Sequence, residues 1–288
     1  MMKLTNLNII KAILNENGFT FKKALGQNFL INPNVCPKMA EYACEGDNAG
    51  VIEIGPGIGV LTAELAKKAK KVVAVEIDER LKNVLAQTLA PFDNTEVVFA
   101  DVLKLDINKL IKEKFCGMQV TVCANLPYYI TSPVIMKLLE DRLPIEKIVV
   151  MVQKEAAERL CAPVGSRESG AITVAVNYYS EPKILFKVSR GSFYPKPNVD
   201  SAVISLNIRK QPPVNVEDER SFFGFVRAAF QQRRKTIVNS VSSSLNIDKQ
   251  KFLQILDDLT LSPAIRAESL KLEQLAEIFN RLYKEMAI

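Results

Sequence analysis

The chain has 288 residues, 48% hydrophobic and 24% charged, with a formal charge of +6, which describes ordinary globular material long enough for about two domains. No apolar run approaches the ~18 residues of a membrane span, and the complete lack of histidine excludes Ser-His and Cys-His catalysis and His-ligated metal centres. The five cysteines, Cys36, Cys44, Cys116, Cys123 and Cys161, show no C-x-x-C spacing, so buried free thiols are expected and no metal site.

The opening stretch, "MMKLTNLNIIKAILNENGF", is broken by Lys11 and polar residues and lacks the apolar core of a signal peptide; it reads as a short amphipathic helix of a cytoplasmic protein. From residue 50, strand and helix patterns alternate. "GVIEI" is an apolar strand, and "GVLTAELAKKA" has helical spacing with Leu61, Leu65 and Ala69 on one face. "KVVAVEI" is a strand, followed by the helix "DERLKNVLAQTL", which Asp78 is placed to cap. "TEVVFA" and "VTVCA" are strands, "PVIMKLLE" a helix opened by Pro133, "KIVVMV" a strand and "QKEAAERLC" a helix. "AITVAVNYYS" and "DSAVISLNI" read as late strands. Strands alternating with helices imply a doubly wound α/β domain with a mainly parallel sheet.

Near residue 209 the texture changes. "RKQPPVNVEDER" reads as a linker, and only helical patterns follow: "SFFGFVRAAFQQRRKTIVNSV", "DKQKFLQILDDL" and "LKLEQLAEIFNRLY". The expected domains are therefore 1–208, α/β, and 209–288, all-helical. The charge divides evenly between them: 25 basic against 22 acidic residues, then 13 against 10, so each part carries +3. A mild positive balance is compatible with nucleic acid, through local clusters rather than a basic tail.

"VIEIGPGIG" sets Gly55, Gly57 and Gly59 directly after the first strand, where glycines let the backbone turn sharply and approach a ligand. Ligands of open parallel sheets sit outside the carboxyl ends of the strands. The spacing is not the dinucleotide fingerprint G-x-G-x-x-G, since position 60 is Val, and Glu53 is an awkward charge near a pyrophosphate. Glu76 ends the second strand, where a carboxylate accepts both ribose hydroxyls of a nucleoside; Asp101 ends the third, in reach of an adenine amino group. Each feature alone has an ordinary structural explanation. Together they favour a cofactor with an adenosine, a cationic tail and no pyrophosphate, as in S-adenosylmethionine.

The fourth strand delivers Asn125-Leu126-Pro127-Tyr128 to the same edge. The exocyclic amine of a base is a poor nucleophile because its lone pair is delocalised into the ring. The Asn125 oxygen and the Pro127 carbonyl are candidates to accept its two N–H groups and stabilise the charge that develops during attack. Tyr128 offers a face for stacking, worth about 1–3 kcal/mol per base. Such chemistry needs neither metal nor histidine. A base inside a helix cannot enter such a pocket, so the target is unpaired or flipped out.

N-L-P-Y after a strand resembles the motif of methyltransferases that act on amino nitrogens. Read in order with "ALGQNFL", "EIGPGIGVLT", "VAVEID", "ADVLKLD", "SFYPKPNVDSAV" and "SPAIRAESL", nearly the whole chain resembles the KsgA/RsmA ribosomal RNA adenine dimethyltransferases. The resemblance implies a Rossmann-like methyltransferase sheet with a small helical C-terminal domain. It also implies a loop at Gln27-Asn28-Phe29-Leu30 that closes over the cofactor, with contacts at Asn28 and Leu30. Gly55 lies under S-adenosylmethionine, Glu76 holds its ribose, Asp101 meets its adenine, and Asn125 touches both cofactor and target amine. Phe193 stacks on the target base opposite Tyr128. Many members have Asn where this chain has Tyr129, which bears on pocket shape rather than chemistry.

The implied partner is 16S ribosomal RNA in the small ribosomal subunit or a late assembly intermediate, methylated at N6 of two adjacent adenosines by a monomeric enzyme. Lys22 and Lys23, and Arg227, Arg233, Arg234 and Lys235 on one predicted tail helix, are the candidate RNA contacts, with Arg227 and Arg234 sharing a helix face. Alternatives are the related large-subunit enzymes that confer macrolide resistance and an assembly factor acting mainly by binding. A dehydrogenase has the wrong glycine spacing and leaves "NLPY" without a task.

Overall fold

The computed structural model describes residues 3–19 and 28–286, which group into two compact units: 1–157 with 182–208, and 158–181 with 209–288. The strands are β1 (Phe29–Leu30), β2 (Ala49–Ile54), β3 (Lys71–Glu76), β4 (Thr95–Phe99), β5 (Gln119–Asn125), β6 (Lys147–Gln153), β7 (Ser180–Val188), β8 (Phe193–Tyr194) and β9 (Ser201–Ile208).

Seven of them form one sheet in the order β4-β3-β2-β5-β6-β9-β7. The pairs from β4 through β6 are parallel, and β6 meets β9 antiparallel, with Gln153 opposite Ser201. The central strands are continuous Val, Ile and Ala runs because a parallel strand is covered on both faces; every residue of β2 is buried. The chain winds outward from β2 to β3 and β4, then returns to place β5 on the other side of β2. That reversal opens a crevice beyond the carboxyl ends of β2 and β5. Register keeps those ends level: Ile54 lies beside both Val75 and Ala124.

Helices cover the sheet as their apolar spacing dictates. Helix Leu7–Glu16 is capped by Asn6 Oδ1, which accepts from Asn8 N at 2.9 Å, and buries Ile10, Ile13 and Leu14. Met39 from helix Val35–Ala43 and Leu65 from helix Val60–Ala66 join the same core. Asp78 opens the following helical segment as its position predicts, accepting from Arg80 N at 3.3 Å. Among the described residues no helix is long and apolar enough to cross a membrane.

Several elements differ from the sequence reading, among them the helix Ile107–Lys114 between β4 and β5, which it did not contain and which Asp106 Oδ1 caps by accepting from Lys109 N at 2.9 Å. "AITVAVNYYS" is the helix Ala171–Tyr179, not a strand, despite its β-branched residues. Local polar bonds turn it: Thr173 Oγ1 accepts from Gly170 N at 3.0 Å and donates to Arg159 O at 2.8 Å. Tertiary packing then holds it, since Tyr179 stacks on Phe223, Tyr178 meets the same ring edge-on, and both hydroxyls donate to Glu219. This overrides a weak β preference and explains why residues 158–181 group with the tail, so that the second unit is larger than 209–288. The strand of this region is β7, one step later, which the charged and proline-containing "SEPKILFKV" concealed.

The tail also breaks where one helix was expected. Helix Glu219–Gln231 stops, and Thr236 caps a new helix, Ile237–Leu245, by accepting from Asn239 N at 3.3 Å. The stretch before it, expected as a linker, is pinned to helix Leu272–Met286, where Asn280 bonds Glu217 N and Asn215 O, each at 3.0 Å.

Gly50 in β2 lies under Phe115: a Cβ there would stand 2.5 Å from Phe115 Cδ1. Gly50→Ala should therefore lower stability by about 1–3 kcal/mol, read as the denaturation midpoint. Combination with Phe115→Leu should recover part of the loss, and an unchanged midpoint for the single variant would contradict this packing.

Candidate active site

The crevice beyond β2 and β5 holds a cavity of about 320 Å³. Its floor is the glycine turn. Gly55, Gly57 and Gly59 have φ of 70°, 58° and 86°, in the left-handed region that glycine enters without penalty. A Cβ on Gly55 would meet nothing within 4 Å, so the backbone there is bare toward the cavity, whereas a Cβ on Gly57 would come within 3.2 Å of the Phe29 ring.

Glu76, at the end of β3, closes the turn. Its Oε2 accepts from Gly57 N at 3.3 Å and its Oε1 from Asp78 N at 2.8 Å. Burial raises its pKa, and the backbone N–H groups of Asp78 and Gly57 pull it back. A carboxylate gripped in this way presents its remaining lone pairs to the cavity in a fixed direction. Asp101 uses Oδ1 to accept from Leu103 N at 3.0 Å and also lines the cavity.

On the other side β5 ends in Asn125, whose side-chain amide has no hydrogen-bond partner among the described residues. A short turn, Tyr128–Ile130, follows Pro127. Tyr128 is half-buried, and its hydroxyl lies 2.8 Å from Ser201 Oγ at the start of β9. The Pro127 carbonyl already accepts from Ile130 N at 3.1 Å and Thr131 Oγ1 at 3.4 Å. It is therefore the less free of the nearby acceptors, contrary to the sequence reading, because the turn needs it. The Leu126 carbonyl accepts nothing among the described residues.

The roof is a two-stranded antiparallel ladder of β1 and β8, with Leu30 opposite Phe193 and Phe29 opposite Tyr194. It continues through Ile31 N donating to Ser192 O at 2.8 Å and Asn32 Nδ2 to Ser192 Oγ at 3.1 Å. Asn28, Leu30, Gly55, Glu76, Asp101, Asn125, Pro127, Tyr128 and Phe193 thus line one cavity, although they are spread over 166 positions of sequence.

A model of the ribosomal RNA adenine dimethylase family matches residues 18–284. The chain belongs to that family. It is 51% identical over 276 residues to the ribosomal RNA small subunit methyltransferase A of Geobacillus sp. (strain WCH70), covering 94% of this chain and 95% of that one. Identity to the protein of the same name from Bacillus mycoides (strain KBAB4) is 48% over 286 residues, 98% of each chain. Among solved structures, a dimethyladenosine transferase from Plasmodium falciparum aligns with a TM-score of 0.72 at 26% identity, over 90% of this chain and 98% of that one. The 23S rRNA methyltransferase ErmE aligns at 0.67 and 28% identity, over 89% and 100%.

Not every predicted contact of this dimethylase-family chain belongs to the cavity. Gln27, Lys22 and Lys23 lie outside the described residues. Arg227 is exposed on helix Glu219–Gln231, but Arg233, Arg234 and Lys235 fall in the break after it, so Arg227 and Arg234 do not share a helix face. Arg233 bonds Arg167 O at 3.0 Å and Glu268 at 3.4 Å.

Four of the lining residues that gained no role from sequence stand out. Ile77, Leu103 and Tyr129 are large, apolar and exposed at the cavity. Their signal was adjacency to residues already singled out. The fourth is Glu53, fully buried behind the glycine turn with Oε2 unpaired. Burial, with Glu76 adding repulsion, pushes its pKa from 4.5 to about 8.

Between those two values the folded protein keeps a proton that the unfolded chain has released, so stability falls as pH rises through the window and levels off above about 8. Glu53→Gln should remove that slope. The variant should match the wild type near pH 5 and exceed it at pH 8 by a few kcal/mol at most, as urea denaturation at both values would read. Parallel profiles for the two proteins would exclude a buried neutral carboxyl.

Proposed function

We propose that this protein transfers methyl groups from S-adenosylmethionine to N6 of two adjacent adenosines in a small-subunit 16S ribosomal RNA hairpin, acting as a cytoplasmic monomer on the subunit or its late assembly intermediate. The observation that carries this reading is the placement of Asn125 and Tyr128 at the end of β5, facing the same cavity as the strand-end carboxylates Glu76 and Asp101.

The residues present fit the cofactor. The bare backbone at Gly55 admits close approach, and Glu76 offers fixed acceptor positions suited to vicinal ribose hydroxyls. Asp101 suits an adenine amino group, Asn28 and Leu30 close the cavity from above, and Ile77 and Leu103 are apolar flanks for a flat ring. S-adenosylmethionine brings an electrophilic methyl on a sulfonium, whose sulfur leaves as a neutral thioether.

The protein's own work is on the nucleophile. The Asn125 amide oxygen and the Leu126 carbonyl accept the N–H groups of the target amine, direct its lone pair and stabilise the charge it gains. Tyr128, with its hydroxyl tethered to Ser201, and Phe193, fixed by the ladder to Leu30, hold the base between aromatic faces. After one methylation the amine still carries an N–H, so one of the two acceptors remains engaged in the second round. Arg227, Arg234 and Lys235, exposed in the second unit, suit phosphate contacts, as do Lys22 and Lys23 by residue type.

Labelled S-adenosylmethionine with small subunits from cells lacking the modification and, in parallel, with large-subunit RNA, followed by nucleoside mass spectrometry, tests the reading. Labelled N6,N6-dimethyladenosine at neighbouring positions is expected. Label confined to large-subunit RNA would move the assignment to that related activity, and label on neither would defeat it. Within this assay Asn125→Ala should lower kcat by about 10²–10³-fold while weakening S-adenosylhomocysteine far less. Glu76→Ala should raise the dissociation constant for S-adenosylhomocysteine by at least about tenfold, the loss of charge-assisted hydrogen bonds, as titration calorimetry would report.

A further inference from the structure

Tyr129 has no task in the chemistry above. It lines the cavity next to Tyr128, yet it is 59% exposed, the most open of the large apolar side chains in the described chain. No hydrogen bond or ring contact engages it among the described residues. The turn after Pro127 is closed by the Pro127 carbonyl, not by this side chain, so folding does not call for an aromatic here.

Of eight exposed large apolar residues among those described, three line this one cavity: Ile77, Leu103 and Tyr129. Exposed apolar surface gathered at a cavity marks contact with a ligand. The three divide by strand. Ile77 and Leu103 follow Glu76 and Asp101 at the ends of β3 and β4, the side assigned to the cofactor. Tyr129 follows β5, the side assigned to the target base. A 3₁₀ turn advances about 120° per residue, so Tyr128 and Tyr129 diverge: one points inward to Ser201, the other outward to solvent.

We propose that Tyr129 is a substrate-positioning residue that stacks on the nucleotide next to the target adenosine, holding the strand at the cavity while the target base is inside. This rests on the RNA methyltransferase reading above. A base drawn out of its stack leaves its neighbour exposed as well, and enzymes of this kind read flanking nucleotides. An aromatic face accepts any base and gives grip without sequence reading. Tyr128 and Tyr129 thereby offer two ring faces to two successive nucleotides.

The test is steady-state kinetics on unmodified small subunits with Tyr129→Ala, Tyr129→Leu and Tyr129→Phe, alongside S-adenosylhomocysteine affinity for each. The expected result is a KM for subunits raised about tenfold in the Ala and Leu variants, with kcat and cofactor affinity close to wild type. The Phe variant should behave as wild type, because the ring and not the hydroxyl is used. Intact S-adenosylhomocysteine binding shows that each variant is folded. An unchanged KM in Tyr129→Ala would overturn the proposal, as would rescue by Leu, which points to plain apolar packing. Loss of cofactor affinity in step with KM would instead make Tyr129 part of the cofactor wall and refute it. If the wild type itself labels no RNA, the methyltransferase reading falls, and this proposal with it.

Discussion

The Glu76 carboxylate is the interaction on which the site depends. It joins the end of β3 to the glycine turn after β2 through Gly57 N–H and holds its own loop through Asp78 N–H. The turn can adopt this course only because Gly55, Gly57 and Gly59 accept positive φ. Burial raises the pKa of Glu76, and the backbone donors pull it back. Glu53 and Glu76 are both buried near one another, but Glu53 has an unpaired oxygen and keeps its proton to about pH 8, while Glu76 has donors that favour ionisation.

On the opposite side of the cavity, polar bonds hold the turn and Tyr128 in place. Ser201 tethers Tyr128, and the turn that presents Tyr128 uses up the Pro127 carbonyl. The β1–β8 ladder sets Leu30 against Phe193, so the roof near the cofactor loop and the wall near the target base are one hydrogen-bonded piece.

The second unit is organised by aromatic packing rather than by a sheet. Tyr178, Tyr179, Phe222, Phe223 and Phe279 interlock, and Glu219 takes both tyrosine hydroxyls. A carboxylate that satisfies two buried phenols removes a desolvation cost that would otherwise oppose the cluster. Segment 158–181 is drawn into this unit by those contacts, although it precedes the last strands of the sheet in the chain.

Sequence alone determined most of the strands and helices from residue 50 to 160, though not the helix Ile107–Lys114, and it determined the turn glycines and the strand-end positions of Glu76, Asp101 and Asn125, because period and turn chemistry are local properties. The ordered motifs carried the resemblance to the dimethylase family. Tertiary structure decided the rest. It made "AITVAVNYYS" a helix, because Phe222 and Phe223 lie where its tyrosines can pack, contacts more than forty residues away. It took the Pro127 carbonyl for the turn and left Leu126's available. It split the tail helix at Arg233 to Lys235, where Thr236 caps a new start. It brought Phe193 to Leu30 and turned Tyr129 outward, since pairing across 163 positions and exposure at a cavity are settled by how the chain packs, not by what each stretch prefers.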